Sequence, residues 1–190
     1  MGVRPYVIIL NGVGSVGKTA TARALQSIIE TPFLHVSMDV FAEMLPQRMF
    51  GHPDGMVFES VFDQGNPSVI IRTGDVMARA MSGMRHAIAG MAFAGNDIIM
   101  DDVMMAPAEA DEYRTLLSDA DLRFVGLHAS LAVLEERERS RGDRELGLAR
   151  WQFGRVHYGQ RYDLEIDTSA STVAQNAHLI AEAFGLRLLT

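Results

Sequence analysis

Tyr6-Val7-Ile8-Ile9-Leu10-Asn11-Gly12-Val13-Gly14-Ser15-Val16-Gly17-Lys18-Thr19 decides the fold. Its first five residues form a short apolar run bounded by a turn, the pattern of a strand buried on both faces of a parallel sheet. Gly12 to Thr19 then match G-x-x-x-x-G-K-[ST] in full, and a helical stretch follows to about Ile29. Strand, glycine turn and helix in that order make an anion cradle. The glycines let backbone N–H groups curl inward, and the helix N-terminus adds partial positive charge. In such a cradle Gly12, Val13, Gly14, Ser15, Val16 and Gly17 wrap a nucleotide's phosphates. Lys18 reaches the β- and γ-phosphates, and the Thr19 hydroxyl meets Mg²⁺.

The basic residues sharpen this reading. Seventeen residues are Lys or Arg, and Lys18 is the only lysine among them. A chain that uses arginine everywhere else keeps lysine where a compact ammonium must thread a tight loop. The lone lysine also excludes the Asn-Lys-x-Asp guanine reader of GTPases.

Outward from the cradle, strands and helices alternate. Phe33–Val36, Asp97–Met100, Leu122–Leu127 and Leu164–Asp167 read as further strands. Val40–Met49, Thr73–Ala94, Ser130–Arg139 and Thr172–Phe184 read as helices. The expected architecture is therefore α/β, a five-stranded parallel sheet with helices on both faces and a P-loop small-kinase fold. One domain is expected over 1–190. It has an irregular excursion at about 49–72, with a hairpin at Met56–Phe62 and Val69–Arg72, and a lid at about 140–157. Met77, Met81, Met84 and Met91 recur at helical spacing and read as core filler, whereas Met38, Met104 and Met105 flank the expected site.

Ligands of such sheets gather at the carboxyl ends of the strands. Asp101-Asp102 closes the third strand there. Adjacent side chains on a strand point opposite ways, so one of the pair faces the metal, and Asp101 is the expected one. Asp39, just past the second strand, is the candidate base for an acceptor hydroxyl; the competing reading is a helix N-cap. Arg141 and Arg144 flank Gly142 beyond a helix and are candidates for holding phosphate charge. Arg137 and Arg139 read as a solvated face, with Glu135 and Arg139 spaced to pair.

Composition bounds the partners. The formal charge is −7, from 24 acidic and 17 basic residues, which disfavours nucleic acid and anionic membrane surfaces. The absence of cysteine rules out disulfides and thiolate chemistry, and the N-terminus shows no secretory signal, so a cytoplasmic protein is expected.

Several segments together resemble the chloramphenicol 3-O-phosphotransferases: Ile8–Gly12 into the glycine loop, Met38-Asp39, Ile98–Val103, Arg141–Arg144 and Tyr162–Thr168. Gly14 stands where that family usually shows Ser, Thr19 where it often shows Ser, and residues 49–72 fall outside the resembling segments. The resemblance implies ATP and Mg²⁺ as donor and cofactor, an aspartate base at Asp39, lid arginines at Arg141 and Arg144, and a small hydroxylated acceptor such as chloramphenicol or a related antibiotic. A nucleoside or sugar kinase shares the same fold and chemistry. A nucleotide-gated regulatory module is the reading from another class; it would need neither the base nor the lid.

Overall fold

The computed structural model of the chain describes residues 4–142 and 146–189. Five strands form one parallel sheet in the order β2-β5-β1-β6-β7: β1 Tyr6–Asn11, β2 Phe33–Ser37, β5 Asp97–Asp102, β6 Asp121–His128 and β7 Leu164–Asp167. This is the architecture that the alternating pattern predicts. β1 lies at the centre, which explains its unbroken apolar run: Val7, Ile8, Ile9 and Leu10 are all fully buried.

The two faces of the sheet carry separate cores. Ile8, Leu10, Ile99, Val125 and Leu127 pack with α1 (Lys18–Ile28) and α7 (Val173–Ala183). Val7, Ile9, Ile98, Met100 and Phe124 pack with α3 (Asp75–Phe93) and α4 (Pro107–Leu116). Strand alternation sends neighbouring residues to opposite cores.

The excursion at 49–72 is a two-stranded antiparallel hairpin, β3 Met56–Asp63 and β4 Asn66–Thr73, apart from the main sheet. Gln64 and Gly65 form its turn, both with positive φ, at 50° and 81°. The helix expected over Val40–Met49 is shorter. Here α2 spans Met38–Glu43, and a 3-10 turn at Gln47–Met49 follows Pro46, whose ring and missing N–H stop a continuous helix.

α5 (Leu131–Arg141) runs two residues beyond the expected end and closes on Gly142 in the left-handed conformation. Its charged face corrects the sequence reading. Glu135 pairs with Arg150 and Arg139 with Glu136, so the expected Glu135–Arg139 pair does not form. Within the segment expected as a lid lies α6 (Leu148–Phe153), held at its start by the buried Glu138. The Glu138 carboxylate accepts from the N–H groups of Gly147 and Ala149, each at 2.8 Å. Glu138→Ala should therefore cost about 2–4 kcal/mol, because two buried donors lose their acceptor. Urea denaturation checks this, and a loss below about 0.5 kcal/mol would remove Glu138 from its anchoring role.

Candidate active site

The glycine loop stands at the carboxyl end of the central strand and is held from every side. Gly12 admits no side chain, since a Cβ there would lie 2.6 Å from the Leu127 carbonyl oxygen. Gly17, at φ 103°, turns the chain into α1 without any side-chain cap. The N-terminus of α1 thus presents its partial positive charge to the cavity that Lys18 and Thr19 line. Lys18, buried, donates from Nζ to the Gly12 and Val13 carbonyls at 2.8 and 3.2 Å.

The Val16 carbonyl accepts from Thr168 Oγ1 at 3.0 Å and from Arg137 at 3.3 Å. Arg137 also donates to Thr168 Oγ1 and to the Thr168 carbonyl. Arg137 is therefore a clamp on the loop rather than the solvated residue its sequence position implied. From α6, Gln152 Oε1 accepts from the Gly14 N–H at 2.7 Å.

Thr19 donates from Oγ1 to Asp101 Oδ2 at 2.8 Å. The register aligns Leu10, Ser37 and Asp101 across three strands, which brings β2 into the same cluster. Ser37 donates to Asp101 Oδ1 at 3.0 Å, and His35 Nε2 lies 3.0 Å from Oδ2. Burial alone would raise the Asp101 carboxyl. The hydrogen bonds from His35, Thr19 and Ser37, with the nearby Lys18 ammonium, outweigh it and hold Asp101 below the usual range.

Asp102 faces the other core, as strand alternation requires. It accepts from Tyr113 OH at 2.8 Å and from the Val103 N–H at 2.7 Å. Complete burial pushes it up to about 6, against those two hydrogen bonds.

Asp39 sits exposed in the first turn of α2. The N-cap position belongs to Ser37, whose hydroxyl is turned to Asp101, so the capping role weighed for Asp39 is not the one it has. Asp39, Asp101, Lys18, Thr19, Arg137 and Arg141 line one cavity of about 970 Å³ with the glycine loop. Arg144 lies outside the described residues.

A second, more apolar cavity of about 290 Å³ adjoins it. Met38 and Val103 belong to both walls. The smaller cavity is otherwise lined by Met56, Met77, Met81 and Met105 with Trp151, and has Arg85, Glu109 and Gln152 among its polar groups. Met77 and Met81 thus wall a cavity, beyond the core role expected for them, whereas Met104 is core alone.

These residues fit a nucleoside triphosphate and its cation. The Ser15 hydroxyl, in the loop at φ 65°, is buried with no partner, as a group awaiting an anion would be. Among the described residues no three His, Asp or Glu side chains gather as a metal cage. Thr19 with Asp101 suits Mg²⁺, which keeps several waters and takes substrate oxygens.

Sequence reasoning missed His35, Ser37, Arg137 and Gln152. His35 and Ser37 were open to it, two apart at the end of β2 and so on one face. Nothing local marks Gln152.

The model of the chloramphenicol phosphotransferase-like protein family matches residues 5–185. A Mycobacterium tuberculosis relative, provisionally named an O-phosphotransferase, is 28% identical over 183 residues, covering 94% of this chain and 81% of the relative. Among solved structures, a sugar kinase from Janibacter sp. HTCC2649 superposes with a TM-score of 0.67 at 16% identity, covering 96% of this chain and 95% of that one. The tunicamycin resistance protein of Deinococcus radiodurans gives 0.67 at 21% identity, covering 98% and 99%. The APS kinase CysC of M. tuberculosis gives 0.65 at 12%, covering 97% and 99%. At these identities the solved structures show a shared fold, that of P-loop kinases.

The opposed aspartates yield a pH test. Because Asp102 titrates higher in the fold than in the unfolded chain, its contribution to stability is present at low pH and lost as pH rises through about 6. Asp102→Asn can still accept from Val103 N–H and donate to the Tyr113 oxygen. Its stability relative to the native chain should rise between pH 4 and pH 7 by up to about 3 kcal/mol. Paired urea titrations at the two pH values check this, and a difference that does not change with pH would contradict it.

Proposed function

The chain belongs to the chloramphenicol phosphotransferase-like family, and from that premise we propose that it is an ATP-dependent kinase acting on a hydroxyl of a small, largely apolar molecule. The observation that carries the reading is the shared wall of the two cavities. A phosphate cradle and an apolar chamber meet at Met38 and Val103, and Asp39 is the next residue after Met38.

In this reading the triphosphate lies along the glycine loop and the acceptor fills the methionine-lined chamber. Asp39 accepts the proton of the acceptor hydroxyl as its oxygen bonds to the γ-phosphorus. The bond from that phosphorus to the β,γ-bridging oxygen breaks, and ADP leaves. Lys18, the loop amides and Arg141 offset the charge on the transferring group, with Arg144 proposed for the same duty. Thr19 and Asp101 would hold Mg²⁺, which would supply charge neutralisation to the phosphates.

The lining favours an apolar or aromatic-bearing alcohol over a polyol. Thioethers and an indole offer contact surface and sulfur–aromatic contacts but few hydrogen bonds. Arg85, the buried cation of the chamber, is already paired, its Nε 2.5 Å from Glu112 and Nη1 3.9 Å from Glu109. Chloramphenicol is the first acceptor to test, on the strength of the family. Dependence on ATP suits the cytoplasm. No helix among the described residues is long and apolar enough to cross a membrane.

Mass spectrometry of chloramphenicol incubated with protein and Mg-ATP tests the proposal. The expected result is a monophosphorylated product, formed at least about 100-fold more slowly by Asp39→Ala. Calorimetry should find nucleotide binding to that variant nearly intact. Undiminished transfer by Asp39→Ala would remove Asp39 as the base. Phosphorylation of polyols in place of chloramphenicol would overturn the apolar acceptor.

A further inference from the structure

Gln152 touches both cavities in different ways. Its Oε1 accepts from the Gly14 N–H at 2.7 Å, and Gly14 lines the phosphate cavity. The same side chain, 5% exposed, forms part of the chamber wall beside Trp151. Gln152 projects from α6, which is fixed at its start by the two hydrogen bonds to Glu138 and by the Arg150–Glu135 pair. Glu135 and Glu138 lie on α5, whose residues Arg137 and Arg141 line the phosphate cavity. α6 is thus braced against α5 while Trp151 and Gln152 line the acceptor side.

We propose that Gln152 is a positioning residue that couples the acceptor chamber to the phosphate cradle. The inference rests on the kinase reading above. An uncharged carboxamide suits the place, because a carboxylate accepting from the same N–H would repel the phosphates. When an anion draws the loop inward, the Gly14 N–H moves with it. Leaving that buried donor unpaired would cost about 1–3 kcal/mol, so Gln152 follows and reshapes the chamber wall. Coupling of this kind is reciprocal: filling the chamber tightens nucleotide binding by the same factor.

The neighbouring residue supplies the reporter. Trp151 is the only tryptophan in the chain, lines the chamber, and has the Arg155 guanidinium 4.8 Å from its ring centroid. Its emission should respond to nucleotide bound on the far side of Gln152.

The experiment titrates the native chain, Gln152→Met and Gln152→Glu with Mg-AMPPNP, by calorimetry and by tryptophan fluorescence in parallel. In the native chain the emission change should saturate with the calorimetric midpoint. Gln152→Met keeps the bulk but not the acceptor; it should still bind by calorimetry, with an emission change roughly fivefold smaller. Gln152→Glu keeps an oxygen at the same reach and should restore the amplitude at weaker affinity. A full-size emission change in Gln152→Met, or native binding with no emission change, would overturn the coupling and leave the kinase reading standing. No calorimetric binding by the native chain would overturn the nucleotide reading and the coupling with it.

Discussion

A loop that keeps amides for an anion can use few of them to hold its own shape; here the Val16 N–H on the Val13 carbonyl does so. Everything else about this site follows from that constraint. Carbonyls turned outward and amides outside the cradle must find partners elsewhere, since buried backbone groups left unpaired are costly. Lys18 takes the Gly12 and Val13 carbonyls, Thr168 and Arg137 take that of Val16, and Gln152 takes the Gly14 N–H. These partners come from α1, from the segment after β7, and from α5 and α6, so distant parts of the chain meet on eight residues. The Thr19 hydroxyl, bonded to Asp101, fixes the start of α1 to β5.

The sheet divides the chemistry. Strand alternation turns Asp101 toward the loop, where Thr19, Ser37 and His35 hold it ionised, and Asp102 into the α3/α4 core beside Tyr113. Two neighbours of identical type thereby acquire opposite titration behaviour, one held below and one raised above the usual carboxylate range. The apolar chamber also depends on parts outside the sheet. Met56, Ile71 and Thr73 come from the hairpin and Trp151 and Gln152 from α6, and these face Met77, Met81 and Arg85 of α3 across the chamber.

Where information is local, the sequence was readable. The run Tyr6–Leu10 and the motif after it imply the central strand, the cradle and the parallel sheet. Alternation at Asp101-Asp102 implies that one carboxylate alone faces the loop, and the pattern of an apolar run then Asp points to Asp101. Pairing over long separation was not readable. Arg137 reaches Val16 across more than a hundred residues, and Gln152 reaches Gly14 over a similar span; nothing near either residue marks the contact. Helical spacing suggested Glu135–Arg139, but α6 offered Arg150 to Glu135 and left Arg139 to Glu136. Periodicity also could not separate methionines that fill a core from methionines that wall a chamber, because Met77 and Met84 share one helix and equal burial.

A crystal structure of the protein with Mg-AMPPNP tests the central claim most directly. The account predicts phosphates cradled by the loop amides and the Ser15 hydroxyl. Lys18 Nζ should have moved from the Gly12 carbonyl to the β- and γ-phosphates, and Asp39 should face the terminal phosphate within the same cavity, beside the shared wall. An analogue lodged elsewhere, or phosphates bound with Lys18 still on the Gly12 oxygen, would contradict it.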